Sequence, residues 1–203
     1  MGDRSTASGA ASTAMGGETT ASGTASTAMG TSTTASDNSS LVIGHFNLSG
    51  STVTANAADF SLDNTAFVVG NGTASNNRSD ALVVKFNGDA TLAGNLNINS
   101  DARLKANIVS LGSTLSKLLQ IDGKSYTMKK DESEKQKIGL LAQDIEKVFP
   151  ELVSESHGVK SVNYQGLVPV LINALKDQEK KIKSQESKLL KLESLVQDLI
   201  DNQ

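Results

Sequence analysis

The chain has 203 residues, a formal net charge of −3, no cysteine, no tryptophan and only 3% aromatic residues. Disulfides and thiolate metal sites are therefore excluded, and no basic cluster reads as a nucleic-acid surface. No apolar run approaches the roughly 18 residues that a bilayer span needs, and the N-terminus lacks the apolar core of a signal peptide.

The two halves differ. Residues 1–99 hold 10 of the 41 charged side chains and 12 of the 17 glycines. Residues 7–16 read ASGAASTAMG and residues 21–30 read ASGTASTAMG, a period of 14. A degraded third copy, ASDNSSLVIG, spans 35–44, with Gly44 in register with Gly16 and Gly30, and a looser echo, NTAFVVG, ends at Gly70. Fourteen residues are too few for a helix pair. They suit one coil of a β-solenoid, two short strands joined by Gly, Ser and Asn turns, and repetition of a small unit is the signature of a stacked array. Ala and Met are expected to point inward, Ser and Thr outward, and glycine to supply the positive φ at corners. Residues 1–79 are assigned to these β-roll repeats. Over 80–99, Leu82, Val84 and Phe86, the turn Asn87-Gly88-Asp89, then Leu92, Leu96 and Ile98 read as short strands around a hairpin turn, a β neck.

At the junction stand Ser100, Asp101, Ala102, Arg103, Leu104 and Lys105. A serine and a lysine can act as nucleophile and base if the lysine loses its proton, and Arg103 is a cation able to depress Lys105. Asp101 also suits a turn cap. Taken alone this spacing is a weak signal. Beyond it, Ile108, Leu111, Leu115 and Leu118/Leu119 have helical spacing, Lys124–Met128 reads as a strand, and Ile138–Phe149 as a helix stopped by Pro150. Leu152–Val162 holds a hairpin turned near His157-Gly158. His45 and His157 lack a partner motif and read as loop or turn residues, Lys129–Lys137 as a solvated charged loop, and Gln143 has no role beyond packing.

A long helix is expected from an N-cap at Asn163, with Pro169 early in it. Leu175, Ile182, Leu189 and Val196 fall at heptad position a. Leu171, Gln178, Gln185, Leu192 and Leu199 fall at d. That is a coiled coil, with the two glutamines costing stability while fixing register and strand number. An aromatic-poor chain buries little area as a monomer, so oligomerisation is expected, and a trimer matches the symmetry of the array.

Two resemblances follow from these residues. The repeats, over roughly 5–72, resemble the head repeats of trimeric autotransporter adhesins, in which three β-rolls pack together. No membrane-anchor barrel of that family is visible. The segments SDARLKANI (100–108), IGLLAQDIEKVFPELV (138–153) and VNYQGLVPVLINALKDQ (162–178) together resemble the endosialidase-type intramolecular chaperone. This is an auto-processing peptidase domain at the C-terminus of phage tail spikes, fibres and neck appendages. The self-cleaving domain of the myelin regulatory factor is similar. The resemblance implies a domain that trimerises, templates the folding of the preceding fibre and cuts itself off before the serine. Carried over, Ser100 is the nucleophile, Lys105 the base, Asn99–Ser100 the scissile bond, and Asp101 and Arg103 are candidate supports. The family often has a second basic residue where Ala102 stands.

The expected architecture is therefore a β-solenoid or β-rich trimeric fibre, a small α+β auto-processing chaperone domain (100–165) and a trimeric coiled-coil helix (166–203). The expected function is a self-processing, tail-spike-like fibre without cofactor or metal, made in the cytoplasm and carried on a virion or extracellular surface. Its implied partners are two further copies and a host-surface receptor or glycan, with no nucleic acid and no membrane span. The alternative is a non-cleaving trimeric adhesin whose C-terminal domain is a permanent trimerisation foot. A membrane-tethered transcription factor is disfavoured, since no segment reads as a DNA-binding domain or a membrane span.

Overall fold

Strands dominate the chain up to residue 92 and a long helix closes it in the computed structural model, which describes residues 2–48, 56–129 and 134–202. Contacts divide the chain into two units, Met1–Ser100 and Asp101–Gln203.

The first unit holds β1 (Thr6–Ala7), β2 (Thr13–Gly17), β3 (Thr20–Ala21), β4 (Thr27–Thr31), β5 (Thr34–Ala35), β6 (Leu41–His45) and β7 (Thr65–Asn71). β8 (Asp80–Lys85) and β9 (Ala90–Leu92) follow. The short strands form a parallel sheet β1-β3-β5, and the longer ones a sheet β2-β4-β6-β7-β8-β9. Parallel partners lie 14 residues apart, as in Thr6↔Thr20, Thr20↔Thr34 and Met15↔Met29↔Ile43. β7 rejoins the ladder at Gly44↔Gly70 after the excursion between them. β8 and β9 then turn antiparallel. The strand ends at Leu92, so Leu96 and Ile98 do not extend it.

A period of seven runs inside the fourteen. Ala14, Ala21, Ala28, Ala35 and Val42 are buried, and so are Thr19, Ser26, Thr33, Ser40 and Asn47. The expected orientation is thus corrected: Thr and Ser at these steps point inward, while Met15 (49% exposed) and Met29 (37%) point out. Strand geometry requires it, because neighbours on a strand face opposite sides and Met15 follows Ala14. Most of the side chains on the inward side are small, Ala, Ser and Thr, with Val42 and Asn47 at the end of the row. Three of these hydroxyls are satisfied locally, Thr19 Oγ1 donating to Ser5 Oγ (3.0 Å), Ser26 Oγ to Ala35 O (3.2 Å) and Ser40 Oγ to Asp37 O (2.8 Å), while the buried Thr33 Oγ1 has no hydrogen-bond partner among the described residues. Asn47 Oδ1 accepts from Thr34 N (2.7 Å) and its Nδ2 donates to Thr34 O (3.0 Å), which takes up the outer edge of β5.

The corners are corrected as well. Arg4, Ala11, Glu18, Ala25, Ser32, Ser39 and Phe46, again seven apart, carry positive φ, 56° at Ala11 and 54° at Ala25. Glycine is required elsewhere, where coils touch: a Cβ on Gly30 (φ 120°) would lie 2.0 Å from Gly44 O. A Cβ on Gly23 would lie 2.1 Å from Asp37 O. Asp37 stands at the repeat position of Gly9 and Gly23, and its carboxylate accepts from Thr65 N (2.7 Å) and Thr65 Oγ1 (2.6 Å) where the excursion re-enters the ladder. Opposite signs are expected for two nearby substitutions. Ala25→Gly relieves a left-handed alanine and stabilises the unit by about 0.5–1 kcal/mol. Gly23→Ala forces the coils apart and costs ~2 kcal/mol or more. Urea unfolding followed by far-ultraviolet circular dichroism checks both.

On the outer face of the larger sheet, Met15, Met29, Ile43, Val69, Leu82 and Leu92 pair in one continuous row across all six strands. His45 is not in a loop: it ends β6, paired with Asn71.

The second unit is small: α1 (Leu115–Leu118), β10 (Lys124–Tyr126), β11 (Lys137–Gly139), α2 (Ala142–Val148), β12 (Val153–Ser156), β13 (Val159–Val162) and α3 (Leu167–Asp201). Its core is Ile145, Phe149 and Val170, flanked by Leu118, Ile121, Leu140, Val148, Leu152, Val153 and Val162. β12 and β13 form the expected hairpin, with both turn residues, His157 (φ 50°) and Gly158 (φ 76°), left-handed as a tight two-residue turn demands. Three expectations change. Ile108 and Leu111 are outside the helix, which is only α1, because Gly112 turns at φ 66° just before it. Ile138 is on β11, paired with Ser125 and 87% exposed, and α2 starts four residues later. The first strand ends at Tyr126, short of Met128. Of the Lys129–Lys137 run, residues 130–133 lie outside the described residues, and Lys137 is on β11. Asn163 does cap, but it caps the 3-10 turn Tyr164–Gly166, accepting from Gly166 N (3.2 Å), and α3 begins at Leu167. Pro169 falls in the first turn of α3, where its missing N–H would have no helical partner.

Candidate functional site

Asn99 and Ser100 close the first unit in an exposed stretch without regular structure, and Asp101 opens the second. From Asp101 the chain makes one 3-10 turn, Ala102–Leu104, followed by Lys105 in extended conformation. The turn forms because Asp101 caps it: Oδ1 accepts from Arg103 N at 2.8 Å, while Leu104 N donates to Asp101 O and Lys105 N to Ala102 O. Arg103 folds back on its cap, Nε donating at 3.0 Å and Nη2 at 2.5 Å to the Asp101 carboxylate. The guanidinium holds the Asp101 carboxyl below its ordinary range, first through this side-chain bond and then through the Arg103 backbone N–H. Arg103 therefore spends its charge on Asp101, and its side chain is 88% exposed. That pair organises the turn between Ser100 and Lys105 without entering a core.

A second cluster, which the sequence reading missed, fastens the run after the turn to α3. Asp177 Oδ2 accepts from Ser113 Oγ (2.7 Å) and Thr114 N (3.2 Å), capping α1 from a neighbouring helix. Thr114, 2% exposed, donates its hydroxyl to Val170 O (2.7 Å), and Asn173 Nδ2 donates to Gly112 O (2.9 Å). The Ser113 hydroxyl above all holds the Asp177 carboxyl below its ordinary range, helped by the Thr114 and Leu115 amides and by Lys180. The signal in the sequence was a polar residue at 173 and another at 177 on one face of a heptad helix, which reads as a solvated face until α1 is seen packed on it.

Gln143 has a place as well. With Tyr126, Leu140, Leu141, Lys160 and Tyr164 it lines a cavity of about 240 Å³. The Tyr164 hydroxyl accepts from Leu140 N (2.9 Å) at its wall. Among the described residues no group of three or more His, Asp or Glu is gathered as for a metal ion, and no helix is long and apolar enough to cross a membrane.

Comparison with known proteins adds the family relations. Residues 100–154 match the family described as chaperone of endosialidase. Residues 1–19 and 21–47 match two copies of the YadA head domain repeat. The long tail fiber protein Gp37 of Salmonella phage S16 is 30% identical over 125 residues, covering 57% of this chain and 17% of that protein. Gp37 of Enterobacteria phage K3 is 31% identical over 126 residues, 55% of this chain and 10% of its own length. Gp37 of Enterobacteria phage T2 is 31% identical over 106 residues, 48% of this chain and 8% of its own. The chain thus spans a small fraction of these relatives. It is similar to phage long tail fibre proteins, and two stretches that match head-type repeats precede a stretch, beginning at Ser100, that matches the chaperone of endosialidase.

Proposed function

We propose that the chain is a trimeric, virion-borne fibre segment whose C-terminal unit aligns three copies, templates their β-solenoid and then severs itself at Asn99–Ser100. The observation that carries this reading is the coincidence of two boundaries: the family match begins at Ser100, the residue at which the first compact unit ends. In the proposed chemistry Lys105, as the neutral amine, takes the proton from Ser100 Oγ while that oxygen attacks the Asn99 carbonyl carbon. The C–N bond breaks, the proton passes to the Ser100 amine, and an ester joins Asn99 to Ser100 Oγ. Water then hydrolyses the ester, leaving an Asn99 carboxylate and restoring the Ser100 hydroxyl. Asp101 and Arg103 hold the turn between nucleophile and base.

Trimerisation is supported by what one chain leaves uncovered. The outward row from Met15 to Leu92 crosses the whole larger sheet, and Ile108 and Val109 are 67% and 85% exposed. Contiguous apolar surface of this kind marks an association face. Three low-complexity β-segments must start in one register, a costly non-local step that a preformed C-terminal trimer makes local. Cleavage then leaves the fibre held by an unfolding barrier. The glycan or receptor at the host surface would meet the fibre formed by the first unit.

The test compares residues 1–99 made by processing with residues 1–99 expressed directly, using intact mass, circular dichroism and sedimentation. The processed fragment is expected to end at Asn99 and to sediment as a β-rich trimer, and the direct one to aggregate or misfold. Equal yields of the same trimer would mean that residues 100–203 are no chaperone. A single full-length mass would favour a permanent trimerisation foot.

A further inference from the structure

α3 carries two faces with separate duties. With Leu175 at heptad position a, the seam for partner copies runs through Ile182, Leu189 and Val196. Val170 and Asp177 then fall at c and Asn173 at f, on the opposite side of the helix. Those three positions, spaced three and four residues apart, are where the chain at 112–114 is fastened: Thr114 Oγ1 to Val170 O, Asn173 Nδ2 to Gly112 O, and Ser113 Oγ and Thr114 N to Asp177. A carboxylate and an amide from one helix thus hold both the carbonyl before α1 and the amides that open it. Few such tethers are needed for packing alone, since Leu115 and Val170 are already buried beside them.

We infer that Asn173 and Asp177 are positioning residues for self-cleavage, coupling the partner-facing helix to the turn Asp101–Lys105. The inference rests on the proposed cut at Asn99–Ser100. Lys105 lies seven residues before Gly112, so an anchored Gly112 limits where the lysine can travel relative to α3. Between them, Ile108, Val109 and Leu111 are exposed and lie in no helix or strand. When the seam draws three helices together, the anchor brings three turns to a defined place. A misplaced base loses rate steeply, by up to about a hundredfold for an ångström. Assembly and chemistry are thereby ordered through contacts that touch neither the seam nor the scissile bond.

The test is carried out on the full chain with Asp177→Asn and Asn173→Ala, and with Asp177→Glu as the conservative variant. Both disruptive variants are expected to keep the trimer by sedimentation and their helix content, because the c/f face is away from the seam. Their cleavage half-times are expected to lengthen about tenfold or more, with faster hydrogen exchange at Thr114 and Leu115. Asp177→Glu, which retains a carboxylate, is expected to recover most of the rate. Folded, trimeric variants that cleave at the wild-type rate overturn the inference. So does a variant that fails to trimerise, since that would merge the two faces into one. A wild-type chain that stays uncut removes the proposed cleavage itself, a result distinct from cut wild type with unaffected variants.

Discussion

Ser100→Ala is expected to leave the chain intact through purification, where the wild type yields two fragments, the second beginning at Ser100. A methyl group has no lone pair to attack the Asn99 carbonyl, so the covalent route is closed rather than slowed. Lys105→Ala is expected to be graded. A positioned general base contributes about 10²–10⁴-fold, so a trace of product after long incubation is compatible with its role while wild-type speed is not. Lys105→Arg separates charge from proton acceptance: guanidinium keeps a cation at the site but stays protonated at any usable pH. It is expected to behave like Lys105→Ala. The turn itself should survive all three changes, because its cap is made by Asp101 and Arg103 and by backbone bonds from Leu104 and Lys105. Intact mass at timed intervals after synthesis is the measurement. If Ser100→Ala is still cut before residue 100, or if Lys105→Arg keeps the wild-type rate, the assignment of nucleophile and base is wrong.

Much of this chain could be read without coordinates, and the failures have physical causes. The 14-residue ladder was legible because Gly16, Gly30 and Gly44 must recur wherever a Cβ would strike the carbonyl of the next coil. The orientation of Met15 was not legible from hydrophobicity, since Ala14 claims the inward side and pleating leaves its neighbour none. In the second unit, Leu115 and Leu118 announced a helix correctly, but Ile108 and Leu111 shared their spacing by chance, and one glycine at 112 ended the series. Ile138 read as helix because it precedes α2 in phase, yet Gly139 and the Tyr126 strand opposite place it on a two-stranded ladder. The hairpin at His157-Gly158 was legible because its two turn residues allow only a short list of turns. The junction was legible as a change of composition, and the first compact unit ends there, at Ser100. The anchor formed by Asn173 and Asp177 was not, because its partners lie about 60 residues away in sequence and polar residues opposite a seam ordinarily face water.

The largest effect expected away from the junction comes from charging the seam of α3. Leu175, Ile182 and Leu189 are 69%, 42% and 56% exposed on a single chain, a stripe that the proposed trimer would cover. In the proposed trimer, Asp at 182 brings three carboxylates to one layer, with no cation among the seam residues to pair with them. Burial of one unpaired charge already costs several kcal/mol, and like charges at short range add repulsion. Ile182→Asp with Leu189→Asp should therefore yield monomers whatever the protein concentration. It should also yield uncut chain, since the turn would no longer be assembled with its copies. Ser187→Asp is the control: position f faces away from the seam, so the same added charge should leave trimer and cleavage intact. Sedimentation and a denaturing gel on the same samples read both properties at once. A monomer that cleaves at the wild-type rate would uncouple assembly from chemistry, and the order proposed for this fibre, alignment first and severance second, would have to be given up.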